Sequence, residues 1–145
     1  MKGQHVNDTS ELNAVARRFI ESQPHSEFQS MLGYRATVVG PGFAELSLVV
    51  RAQHLNRTER VHGGVLMALL DSVGGYAGVV VADESEPRRA VSLTVSTNFV
   101  RSALVGTLIA RAHLTGGGRR IFFSRMEIFQ NEDRIATGEG SYRYL

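Results

Sequence analysis

Twenty-two residues, Val61 to Ala82, run VHGGVLMALLDSVGGYAGVVVA with a single charged side chain, Asp71, near the middle. A run this long and apolar is either a membrane span or a helix enclosed by protein. The carboxylate at its centre and the glycines at 63, 64, 74, 75 and 78 argue against lipid, where an unpaired acid is costly. The run is therefore expected to form one long helix buried on nearly every side. On a helical wheel Leu66, Leu69, Leu70, Val73, Ala77, Val80 and Val81 make one broad stripe, and Val65, Ala68 and Val79 keep the other side apolar. Asp71 falls away from the main stripe, close to Met67 and Gly78, and so faces a different neighbour from the main core.

A buried helix needs a layer around it, and the rest of the chain reads mostly as strands. YRATVVG and FAELSLVV flank the turn Gly40-Pro41-Gly42 and predict a hairpin. After the charged loop DESEPRR, the segments AVSLTVSTNFV, TLIARAHLT, RRIFFSRMEIF and RIATGEGSYRYL predict a meander of about four strands, divided at Arg101 to Gly106, at Gly116-Gly117-Gly118 and at Asn131-Glu132-Asp133. Ahead of the hairpin, Leu12, Val15, Ala16, Phe19 and Ile20 recur at helical spacing, giving an amphipathic helix of about ten residues capped by Ser10 and stopped by Pro24. The fold class that follows is α+β, an antiparallel sheet wrapped around one long central helix, with an N-terminal helix. At 145 residues it is expected to be a single domain, residues 1–145, with a polar and flexible segment at 1–9.

Composition removes several classes of function. There is no cysteine, so disulfides, thiolate metal sites and a cysteine nucleophile are out. The five histidines show no i, i+4 pair, and no metal is expected. Fifteen arginines against one lysine leave a net charge of only +2, which implies no general surface for nucleic acid. The polar start MKGQHVNDTSELN does not read as a signal peptide, so the cytoplasm is the expected location, with no membrane partner.

Two features carry chemistry. A helix that begins at His62-Gly63-Gly64 offers unpaired backbone N–H groups where the helix dipole favours negative charge, and glycine lets a ligand approach the backbone. The glycines fit a tight loop-to-helix turn equally, or an oxyanion hole for acyl transfer. Asp71 fits a satisfied buried acid or a reactive one. Asn56 and His62 before the helix and Ser92 in the strand after it form a polar set able to converge on an otherwise apolar helix, as an active site requires.

Taken together, Asn56, His62-Gly63-Gly64, Asp71 on the helix and Val91-Ser92 opening the next strand resemble the hotdog-fold acyl-CoA thioesterases, specifically their PaaI-like, phenylacetate-pathway branch. The resemblance covers about residues 30–145 and includes the Gly118-Arg119-Arg120 turn. It implies an acyl-CoA substrate and no cofactor beyond the CoA of that substrate. The Gly63 N–H would polarise the thioester carbonyl, with His62 holding the turn. Asp71, from a neighbouring subunit, would attack the carbonyl or activate a water, which Asn56 and Ser92 would position. Arg101, Arg119 and Arg120 would meet the CoA nucleotide, and Gly64 the substrate. The acyl pocket would be lined by Met67, Leu70, Gly74 and the first helix. The family assembles as homodimers or homotetramers, and the sequence does not choose between them. Two other uses of the fold remain: an acyl-CoA-binding regulator, for which no output segment is expected in this chain, and a hydratase, which should space its Asp and His differently.

Overall fold

The computed structural model of the protein describes residues 9–22 and 26–145. Its elements run α1 (Thr9–Ser22), α2 (Glu27–Leu32), β1 (Arg35–Gly40), β2 (Phe43–Val50), a 3-10 turn at Ala52–His54, α3 (Gly63–Tyr76), β3 (Ala90–Phe99), β4 (Gly106–Gly117), β5 (Ile121–Gln130) and β6 (Asp133–Tyr144). The six strands form one antiparallel sheet in the order β1-β2-β4-β5-β6-β3. This is the expected hotdog arrangement, with α3 as the central helix.

The strand alternation places one apolar set toward α3. Leu46 and Leu48 of β2, Leu108, Ala110 and Ala112 of β4, and Met126 and Ile128 of β5 are all buried, and they meet Leu69, Leu70 and Val73 of the helix. Small residues set the approach. A Cβ placed on Gly138 of β6 would lie 3.3 Å from Leu70 Cδ1, so the helix sits against backbone there. Each fully buried leucine contributes about 1.5 to 3 kcal/mol of transfer free energy, and this packing, more than propensity, holds a glycine-bearing helix together.

Four expectations change. The helix of the apolar run is 14 residues long, and the chain turns after its C-cap, Ala77. One face, Gly64, Met67, Asp71 and Gly75, is only partly covered, so α3 is not buried on every side. The four later strands are not one meander: β4, β5 and β6 are consecutive, but β3 pairs with β6 at the far edge, Ala90 to Phe99 against Ala136 to Tyr144. The second edge of β2 is taken by β4 over Phe43 to Val50, so β3 has no place beside β4. α1 extends over 14 residues with Val15 and Phe19 buried, and Ser10 lies inside it instead of at its cap. Pro24 and residues 1–8 lie outside the described residues. Between α1 and β1, Ser26 caps α2 by accepting from the Gln29 N–H, and Gly33 ends it at φ 83°, a left-handed conformation that suits glycine. No described helix is long and apolar enough to cross a membrane.

Candidate active site

The start of α3 is built by two histidines in series. His62 is the N-cap, and its Nδ1 accepts from the Gly64 N–H at 2.8 Å. A Cβ on Gly64 would lie 3.0 Å from that nitrogen, so the bare glycine makes room for the ring. Val65 N–H donates to the His62 carbonyl, whereas the Gly63 N–H has no partner among the described residues. It is a free donor at the positive end of the helix. His54, fully buried, supports the turn from behind. Its Nδ1 accepts from the Arg51 N–H at 2.8 Å, its Nε2 donates to the Leu32 carbonyl at 2.7 Å, and its own carbonyl accepts the His62 N–H. The ring is thereby fixed as the neutral tautomer with the proton on Nε2. Counting histidines for metal spacing gave no hint of this role.

Asn56 organises the loop that enters the turn. Its Oδ1 accepts from Thr58 N–H, Thr58 Oγ1 and Arg60 N–H at 2.9, 2.8 and 3.1 Å. Its Nδ2 has no partner among the described residues. Asn56 and Gly63 line one cavity together with Arg101 and Phe99, whose ring covers Gly63. Arg101 is ion-paired with Asp133.

Two turns along the same helix, the Ser92 hydroxyl donates to Asp71 Oδ1 at 2.5 Å, a short bond of the kind a carboxylate acceptor supports. Ser92 reaches it because Leu93 is an extra residue, a bulge in the pairing of β3 with β6. Asp71 and Ser92 line two neighbouring cavities. One is walled by Phe28, Met67, Ala68 and Val95, the other by Phe19, Gly75, Tyr76 and Arg89.

The helix beneath Asp71 and the turn that follows it hang from the sheet by three hydroxyls. Tyr142 donates to the Asp71 carbonyl at 3.1 Å, Ser124 to the Gly74 carbonyl at 3.0 Å, and Tyr144 to the Gly78 carbonyl at 2.8 Å. Burial first, and the nearby Asp71 second, push the Tyr142 hydroxyl well above the ordinary tyrosine range, so it stays protonated and donating.

Two sets of residues therefore form, not one. Asn56, His62, Gly63, Gly64 and Arg101 gather at the start of α3, while Asp71, Ser92 and Met67 gather farther along it. The eight-residue step from Gly63 to Asp71 is a rise of about 12 Å, so both cannot touch one carbonyl group within a single chain. Arg119 and Arg120 stand apart from Arg101. They line a cleft beyond the other end of the helix with Arg88 and Glu84, where Arg88 lies 3.5 Å over the Tyr144 ring and donates to the Arg119 carbonyl. Arg88 was not singled out from the sequence, where it reads as one of several arginine pairs. Leu70 and Gly74 do not line an acyl pocket. Leu70 is fully buried in the core, and the space over Gly74 is filled by Tyr142, whose hydroxyl would lie 2.1 Å from a Cβ there. The space at Gly78 is filled in the same way by the Phe122 ring.

An antiparallel sheet wrapped on one central helix is the hotdog fold, and the class of protein it carries here is the thioester hydrolases. The chain belongs to the thioesterase superfamily, whose family model matches residues 59–137. Within it the chain is similar to the acyl-coenzyme A thioesterase PaaI of Escherichia coli, 30% identical over 107 residues that span 73% of each chain. The solved structure of E. coli PaaI, a protein of the phenylacetic acid degradation operon, superposes with a TM-score of 0.77 at 26% identity over 94% of this chain and 95% of that one. A conserved protein of Pseudomonas aeruginosa superposes with a TM-score of 0.76 at 28% identity over 83% of this chain and 94% of its own.

Proposed function

We propose that the protein hydrolyses an acyl-CoA thioester to the free acid and CoA at a site shared by two copies of the chain. The observation that carries this reading is the separation of the free Gly63 N–H from the Asp71–Ser92 pair along one helix. A two-fold axis that lays two α3 helices antiparallel brings the glycine end of each against the aspartate of the other, and makes two equivalent sites. The uncovered face of α3 and the free edge of β3, with Leu93 and Phe99 about half exposed, supply the surface for that pairing.

In such a site the Gly63 N–H donates to the thioester oxygen and gains strength as that oxygen becomes an oxyanion. His62 holds the donor in line and Ser92 fixes the carboxylate. Asp71 then acts in one of two ways. As nucleophile, its oxygen bonds to the carbonyl carbon, the C–S bond breaks with the electron pair leaving on CoA sulfur, and water cleaves the resulting anhydride. As base, it takes a proton from water, the hydroxide adds to the carbon, and the CoA thiolate departs. Asn56 Nδ2, on the Gly63 side, is placed to hold water or substrate. No cofactor enters either route. Arg101, and Arg119 and Arg120 together with Arg88, serve the CoA phosphates from two sides of the assembly.

An aromatic acyl group suits the walls beside Asp71, which are Phe28 and Met67 on one side and Phe19 and Tyr76 on the other. The test is thiol release by the purified protein from phenylacetyl-CoA, hexanoyl-CoA and decanoyl-CoA, with binding followed in parallel. The aryl ester is expected to show the highest kcat/KM. Binding of all three without thiol release overturns the hydrolase reading. Efficiency that climbs with alkyl length overturns the aryl preference alone.

A further inference from the structure

Asp71 is gripped from two sides by residues that face each other across two strands. Ser92 of β3 and Tyr142 of β6 are direct cross-strand partners. Ser92 holds the carboxylate and Tyr142 holds the backbone carbonyl of the same residue. We infer that Tyr142 is a positioning residue for the Asp71 carboxylate, setting the rotation and height of the helix turn that presents it.

Three observations carry the inference. First, the helix needs an external hold here. Gly74 and Gly75 sit side by side in the last turn of the helix, just after Asp71, and glycine is the poorest helix former after proline. Second, the fit around the hydroxyl is specific. Cβ atoms placed on Gly74 of α3 and Gly140 of β6 would lie 2.1 and 2.7 Å from the Tyr142 oxygen, so two bare glycines form its socket. The ring is stacked on Phe122 with centroids 5.1 Å apart, and the side chain is almost wholly buried. Third, an aspartate side chain is short, so its carboxylate goes where its backbone goes. The carboxylate stands roughly 6 Å from the helix axis, and a rotation of about 15° would displace it by more than about 1 Å, enough to matter at a reacting carbonyl.

The inference rests on Asp71 acting at the thioester, and the experiment separates the two. Tyr142→Phe keeps the ring stack and deletes the donor. Tyr144→Phe deletes an equivalent bond to the Gly78 carbonyl, seven residues beyond Asp71. Both variants and Asp71→Asn are assayed with one acyl-CoA at a temperature where circular dichroism shows each folded. Tyr142→Phe is expected to lower kcat by about tenfold with KM within a factor of about two. Tyr144→Phe is expected to leave kcat unchanged while lowering the urea midpoint about as much as Tyr142→Phe does. Equal kcat in the two tyrosine variants, with Asp71→Asn inactive, overturns the positioning role and leaves the catalytic reading standing. An active Asp71→Asn overturns both.

Discussion

Splitting the site between two chains predicts that two dead variants restore activity when they are mixed. Asp71→Asn removes the base or nucleophile and nearly keeps its shape. Gly63→Pro removes the free N–H at the first position of α3, where proline is tolerated because that donor has no helical partner. The backbone is already prepared for it. His62 sits at φ −63° and ψ 135°, the extended range that a residue before proline requires. The added ring meets Phe99, whose Cζ would lie 3.2 Å from a Cβ at 63, and that side chain need give by only a few tenths of an ångström. Each variant alone should fall by about 100-fold or more in kcat. After equimolar refolding or co-expression, half of the dimers are mixed and each mixed dimer keeps one of its two sites, so activity should return to about one quarter of the wild-type rate per chain. The assay is thiol release before and after mixing, with mixed dimers quantified through a tag on one variant. Mixed dimers that form in the expected share and stay as inactive as their parents would refute the shared site.

Ser92→Ala should lower kcat by about 10- to 100-fold, since a hydrogen bond to a charged acceptor is worth about 1.5 to 3 kcal/mol, and steady-state kinetics read it directly. His54→Ala empties the site of a fully buried ring and takes the partner from the Arg51 N–H and the Leu32 carbonyl, and should cost about 3 kcal/mol in urea unfolding. Gly78→Ala drives a methyl to within 2.7 Å of three Phe122 ring atoms and should cost about 3 kcal/mol or more, visible as a lowered melting temperature. Stability should also fall at alkaline pH. Burial raises the hydroxyls of Tyr76 and Tyr142 above the ordinary value of 10.0, so the unfolded chain releases those protons first, and the urea midpoint should decline as pH rises above about 10. Tyr142→Phe should make that decline shallower.

What could be read from the chain follows the range of the forces involved. Asp71 was legible because one charge in an apolar run has no local reason to be there, and His62-Gly63-Gly64 because a helix start has a local chemistry. The β1–β2 hairpin was legible from its Gly40-Pro41-Gly42 turn. The place of β3 was not, because its pairing with β6 depends on which edges remain free once the whole sheet has formed. Ser92 was named from the sequence, but the bulge at Leu93 that turns it toward the helix was not legible, for a related reason. Strict alternation back from Val95 turns Ser92 away from the helix, and only the pairing shows the extra residue. Gly74 was read as open space, but a glycine reports that a side chain is missing and not what occupies the gap. Arg101 and the Arg119-Arg120 pair were correctly placed at strand ends, without any local signal to tell which end of the sheet each would reach.

The three hydroxyls that hold α3 and the turn after it all bind backbone carbonyls, and those acceptors are present whatever side chains the segment carries. The anchoring of the helix is thus separated from the sequence of its open face. Met67, Ala68 and Gly75 can change without breaking those bonds, while Tyr142 and Ser124 keep the turn beneath Asp71 in place and Tyr144 ties down the segment after the helix. A lineage built this way can trade one acyl group for another through substitutions at those three positions, with little loss of stability to repair at each step. A library randomised at 67, 68 and 75 should accordingly yield mostly folded proteins, differing in which thioester they prefer.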